Sequence, residues 1–120
     1  MKATAFKWPE VQEDRPIDLL ARRMITGEQM LVAKVSLTKG CDVHLHKHDS
    51  EQMAVVISGR VRWTLGAEGS PDRREVETGG GEVMWLPSNV PHGVLALEDT
   101  EIIDILSPPG KMGIDNQGAH

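Results

Sequence analysis

Three histidines stand at alternate positions in the stretch DVHLHKHD: His44, His46 and His48. Residues two apart on a β-strand point to the same face, so an H-x-H pair delivers two imidazoles to one point. A metal needs more than two ligands, and the others must come from neighbouring strands; Gln52 and His92 are the candidates. A divalent ion held there would polarise a carbonyl or hydroxyl oxygen. Asp104 is the other residue with chemical potential. It interrupts the apolar run Ile102-Ile103-Asp104-Ile105-Leu106, where a carboxylate buried without a partner is costly. Two readings of it stand side by side. It is either a general acid or base beside the metal, or a strand residue facing solvent or a subunit interface.

The elements that must position these groups read as strands. Gln29 to Leu37 puts Leu31, Ala33, Val35 and Leu37 on one face, the period of a half-buried strand. Gln52 to Ile57 is a short apolar run ending at Ser58-Gly59, and Arg60 to Leu65 alternates Val61, Trp63 and Leu65 against polar residues. The two are expected to form a hairpin. After a polar loop, Gly66 to Asp72, come a charged edge-like strand from Arg73 to Glu77 and glycines 79–81. Glu82 to Leu86, Gly93 to Leu97 and Glu101 to Leu106 complete the set. Ile17 to Ile25 fits either a helical turn or an irregular strand. Many short strands between Gly, Pro, Asn and Asp turns indicate an all-β sandwich or barrel. The tail from Pro108 lacks periodicity and is expected to be flexible over about 108–120.

The chain of 120 residues is enough for one domain, with 39% hydrophobic and 26% charged residues. A formal net charge of −5 and the absence of a basic run argue against a nucleic-acid partner. No apolar run approaches the length of a membrane span, and the N-terminus lacks the apolar stretch of a signal peptide. With Cys41 as the single cysteine, no internal disulfide is possible. A cytoplasmic location is the default expectation.

The motif spacing resembles the cupin superfamily, whose first motif is G-x5-H-x-H-x3,4-E-x6-G. Here Gly40 is followed after five residues by His46-x-His48, after three more by Gln52, and after six more by Gly59. The second motif, G-x5-P-x-G-x2-H-x3-N, is matched by Gly81, Pro87 and His92, with Asn89 in place of its second glycine and Ala96 in place of its asparagine. Both motifs and their spacer occupy residues 40–96. The resemblance implies a cupin β-barrel (a double-stranded β-helix of jelly-roll type) over residues 1–120. It also implies a ligand set of His46, His48, Gln52 and His92, because pairing His44 with His46 breaks both spacings. His44 is then expected at the cavity mouth or behind the ligands. The cofactor is one divalent metal ion, and Zn, Ni, Fe, Mn and Co all suit three imidazoles and an amide. Gln52 replaces the usual carboxylate, so the site loses a negative charge and leaves its metal more electrophilic.

The stretches HKHDSEQMAVVISG and PSNVPHGVLALEDTEIIDILSPP resemble the small cupins of pectin and alginate breakdown, which linearise unsaturated monouronates. That resemblance implies a catalytic Asp104. Of the aromatic and the arginine that accompany it in the group, neither is kept: Leu106 and Gly110 stand at their positions. Lys111 is an approximate substitute for the arginine, as a point charge on the tail. The leading expectation is a metal-dependent enzyme acting on a small oxygen-rich substrate such as an unsaturated uronate sugar. The alternatives are a metal-dependent dioxygenase and a non-catalytic small-molecule binding or sensing module. Trp63 and Trp85 are candidates for the barrel wall or for substrate stacking, and Met53 is expected in the core. The aromatic pair Phe6 and Trp8 suggests a packed N-terminal segment, and small cupins commonly form homodimers, so a homodimer with that segment across the interface is expected.

Overall fold

Alternating apolar residues give each strand one face to bury, and two sheets bury those faces against each other. The computed structural model describes residues 2–115. Its ten strands are β1 (Glu13–Asp14), β2 (Leu20–Thr26), β3 (Leu31–Leu37), β4 (Asp42–His46), β5 (Glu51–Ser58), β6 (Arg60–Leu65), β7 (Arg74–Gly79), β8 (Val83–Leu86), β9 (His92–Ala96) and β10 (Thr100–Ser107). One sheet runs β1-β2-β3-β10-β5-β8 and the other β4-β9-β6-β7, with every pairing antiparallel. Leu31, Ala33, Val35 and Leu37 are buried on β3 as their spacing predicts, and meet Ala54, Val56, Ile102 and Leu106 from the same sheet. Val43, Val61, Trp63, Leu65 and Ala96 close the core from the other sheet. Each fully buried Leu or Val stabilises the fold by about 1.5–3 kcal/mol. Trp63 is a wall residue whose indole Nε1 donates to Thr78 Oγ1 at 2.9 Å. No described helix is long and apolar enough to cross a membrane.

The expected hairpin between β5 and β6 does not form. β5 pairs with β10 and β8, whereas β6 pairs with β7 and β9 in the opposite sheet. Ser58-Gly59 therefore carries the chain across the core. Both strands have one apolar face, and that pattern is satisfied equally by pairing side by side or by facing each other across the core. Gly59 makes the crossing possible: its φ is +90°, and a Cβ there would collide with the Asp99 carbonyl and with Thr100.

Of the two readings of Ile17 to Ile25 the strand holds from Leu20 onward, as β2, with Leu20 and Arg22 on one inward face. Two further readings are corrected. Met53 lies on the outer face of its sheet, opposite its buried neighbours Gln52 and Ala54. The tail read as flexible packs against the barrel as far as it is described, burying Met112 and Ile114 in the core cluster; residues 116–120 lie outside the described residues. The N-terminal segment rests on its own protomer at Trp8–Val11, where Arg23 donates to the carbonyls of Trp8 and Val11 at 3.1 and 2.6 Å. Phe6 is exposed.

The crossover glycine gives a direct test. Gly59→Ala combines a left-handed backbone cost of about 1–2 kcal/mol with a steric cost of about 1–3 kcal/mol. Gly69 has φ +80° with nothing within 4 Å of a built Cβ, so Gly69→Ala should cost the backbone part alone. Urea unfolding of the two variants should therefore separate them, with Gly59→Ala clearly the less stable.

Candidate metal centre

A break in strand register creates the site. β4 pairs with β9 through Asp42–Leu95 and Val43–Val94, and then through His46–His92, with a bulge between. Val43 and His46 are three apart, so a regular strand would point them to opposite faces; the bulge returns His46 to the inner side. His48 follows just beyond the end of β4. His92 opens β9 and is buried. Gln52 and Asp104 come from the other sheet. Gln52 lies opposite Leu106, and Ala54 lies opposite Asp104, so Gln52 and Asp104 are diagonal neighbours on the inner face.

The imidazole nitrogens of His46, His48 and His92 lie within 4.8 Å of one another. Each ring has its Nδ1 on a main-chain carbonyl: His46 on His44 at 2.8 Å, His48 on Ser50 at 2.9 Å, and His92 on Val90 at 2.9 Å. A carbonyl only accepts, so a proton sits on each Nδ1, and a ring carrying no second proton has its lone pair on Nε2. That is the tautomer a metal requires. Gln52 is oriented in the same sense. Its Nε2 donates to Asp104 Oδ1 at 2.8 Å, which leaves Oε1 facing His48 Nε2 at 3.0 Å. A divalent ion there could take a lone pair from each of these two atoms and from the neighbouring rings, so the donor set fits a divalent metal. The residues that would hold it are His46, His48, His92 and Gln52.

Burial tunes the surrounding charges. It pushes His92 down to about 4 and lowers His46 as well, so both rings are neutral at physiological pH without giving up a proton to a metal. It pushes Asp104 up to about 7, partly opposed by the Gln52 hydrogen bond. Asp104 is only 6% exposed, so the structure places it on the inner face and removes the solvent-facing reading. His44 is 63% exposed, with Nε2 3.9 Å from Asp42 Oδ2; its carbonyl, not its ring, serves the site. Trp85 is on the outer surface, donating to Glu51 Oε2 at 3.0 Å.

His46, Gln52, His92 and Asp104 border an inner cavity of about 30 Å³, whose remaining walls include Trp63, Ile102, Met112 and Ile114. That space holds one or two waters. His48 borders a separate groove of about 490 Å³ with Lys47, Asp49, Asn89 and residues 108–111. Sequence reasoning missed Met112 and Ile114 as cavity walls. Their period-2 spacing was present, but in a tail too short and too glycine-rich to stand out.

The cupin domain model matches residues 33–106. The chain belongs to the cupin family. Solved cupin structures agree with this fold. An RmlC-like cupin from Shewanella frigidimarina is 20% identical with a TM-score of 0.78, covering 92% of this chain and 95% of that one. KdgF from Halomonas sp. is 24% identical with a TM-score of 0.74, covering 89% and 96%. Oxalate decarboxylase from Lactobacillus farciminis, solved as a formate complex, is 17% identical with a TM-score of 0.78 over 92% of this chain but 35% of that one. This cupin thus spans about a third of the decarboxylase. At these identities the likeness concerns the fold alone. No curated protein sequence matches the chain significantly.

Removing His46, His48 or His92 by mutation to Ala should abolish stoichiometric metal binding, measured by titration with zinc or cobalt, while His44→Ala should retain it. Loss of the metal in His44→Ala but not in His48→Ala would reverse the ligand assignment. Asp104 also sets a pH dependence. Its folded pKa lies above the unfolded value of 3.8, so the folded state binds the extra proton and loses stability as pH rises through about 7. Metal-free Asp104→Asn should therefore melt above the unaltered protein at pH 8, with the difference shrinking as pH falls toward 4. His92 acts in the opposite sense: stability is full above its unfolded value of 6.5 and declines as pH falls toward about 4.

Proposed function

We propose that this cupin is a metal-dependent enzyme using Lewis-acid and acid–base chemistry on a small oxygen-rich molecule, such as an unsaturated uronate sugar. The observation that carries this reading is the juxtaposition of Asp104 with Gln52 on the inner face, in a cavity also lined by His46 and His92. A bound divalent ion would supply polarisation of a substrate oxygen. His46, His48 and His92 hold their lone pairs toward the centre, and Gln52 adds a neutral oxygen. Asp104 borders the same cavity and exchanges a proton with substrate there. Its second task is to fix the Gln52 amide with the oxygen inward. Trp63 and the aliphatic walls keep bulk water away, which strengthens every charge interaction inside.

The uronate reading draws on the sequence resemblance, and Gly110 in place of an arginine weakens it. Lys111 is exposed and lines the outer groove with Lys47, so a substrate carboxylate has lysine partners there only. A second reading is favoured by the inner cavity itself. A three-histidine centre beside a small, mostly aliphatic space also fits dioxygen, and iron-restored protein consuming oxygen would select that reading. A ligand bound without turnover would instead indicate a sensing module.

Metal analysis of untagged protein, followed by a uronate and oxygen-uptake screen, tests the proposal. Asp104→Asn keeps an oxygen to accept from Gln52 but removes the base. On the substrate found, turnover should fall by about 10²–10⁴-fold with metal content unchanged. Full activity in Asp104→Asn would reduce the residue to a structural role.

The same reading includes a homodimer. Val83 and Trp85 on β8, Met53 and Ile57 on β5, and Ile105 on β10 expose an apolar area across the outer face of the larger sheet. Met53 sits directly between Trp85 and Ile105 in the strand register. A contiguous patch of this kind on a small protein fits a second copy of the chain. Light scattering should give twice the 13.2 kDa protomer mass, and Trp85→Glu should yield monomer. Deleting residues 1–9 should weaken the dimer if the N-terminal segment also crosses the interface.

A further inference from the structure

The inner cavity raises a problem of access. Its volume of about 30 Å³ is far too small for a sugar acid, and part of its wall is the C-terminal segment. Met112 and Ile114 turn inward there and are buried to 3% and 6% exposure. Gly113 between them, with φ +82°, lies so close to the His46 ring that a Cβ would collide with it. The beginning of the same segment, residues 108–111, forms a wall of the 490 Å³ groove on the His48 side. The segment therefore partitions the two spaces that the ligand histidines border.

An ion pair adds to this packing at the far end. Arg22, only 3% exposed on β2, donates to Asp14 at 3.0 and 2.7 Å and to Asp115 Oδ1 at 2.7 Å, with Met112 Sδ 3.9 Å away. The bond to Asp115 is the polar tie at the far end of the strap. Asp115 is 45% exposed, so water competes for it readily. Asp14 remains on Arg22 when Asp115 leaves, and opening does not strand a buried cation. That arrangement favours a contact that breaks and reforms over a permanent one.

We propose that residues Met112–Asp115 form a strap that closes the metal centre, latched by Arg22–Asp115, and that its release joins the outer groove to the inner cavity for substrate entry. The role in substrate entry rests on the enzymatic reading above, but closure of the histidines by the strap does not. Met112 and Ile114 are then the residues that set the size of the closed chamber.

Diethylpyrocarbonate labelling of the metal-free, full-length protein tests the closure directly, read at each histidine by mass spectrometry. Exposed His44 is the internal reference. In the unaltered protein His46 and His92 should label far more slowly than His44. Asp115→Asn, which removes the anion at an exposed position, should speed His46 and His92 about five- to tenfold and leave His44 unchanged. Asp115→Glu should restore protection. Gly113→Val, which drives the strap off the His46 ring, should do the same as Asp115→Asn by an independent route. Equal labelling of His44, His46 and His92 in the unaltered protein overturns the proposal, as does unchanged protection in both Asp115→Asn and Gly113→Val. Since no metal is used, these results stand apart from whether the site takes an ion.

Discussion

Three imidazoles share one point because each has its outer nitrogen tied to a main-chain carbonyl two residues away. The partners are His44 for His46, Ser50 for His48 and Val90 for His92. These short local bonds select the tautomer, lock the ring orientation and satisfy a polar atom that would otherwise be buried alone. The rest of the site depends on them. A ring free to flip would present a proton to the centre in place of a lone pair, and Gln52 would have no reason to hold its oxygen there.

In the proposed centre, Gln52 backed by Asp104 takes the place of the single carboxylate of the usual cupin motif. The amide contributes a neutral oxygen to the centre, and the carboxylate behind it orients and polarises that amide. Asp104 is thereby kept close to the centre behind the amide. Burial then raises the affinity of Asp104 for a proton, while the same burial lowers that of His92. One apolar cavity thus drives an acid and a base in opposite directions toward their neutral forms.

The sandwich that supports this centre is closed from outside by its own C-terminus. The barrel needs its mouth covered to keep the inner faces of β3, β9 and β10 dry, and Met112 and Ile114 supply the apolar surface. The cover is held by the burial of Met112 and Ile114 and, at its far end, by the Arg22–Asp115 contact.

Most strands were legible in the sequence, and so was the gathering of His46, His48 and His92 at one point. Period-2 alternation marks β3 and β6, because a strand with one buried face must repeat every two residues. The spacing of Gly40, His46, His48, Gln52 and Gly59 with Gly81, Pro87 and His92 is specific enough to point to four ligand positions and to set His44 aside. The H-x-H argument expected His46 and His48 to meet, and they do, although His46 faces inward only because of the bulge after Val43. Local pattern says nothing of partners, however. It could not distinguish β5 and β6 as a hairpin from the two strands facing each other across the core, since either arrangement buries the same residues. It could not choose between an inward and an outward Asp104, because the apolar residues around it allow both. Nor could it place a glycine-rich tail whose two apolar residues find their partners only after the barrel exists. Those decisions belong to long-range packing, where the opposing sheet, not the neighbouring residue, determines which side of a strand is dry.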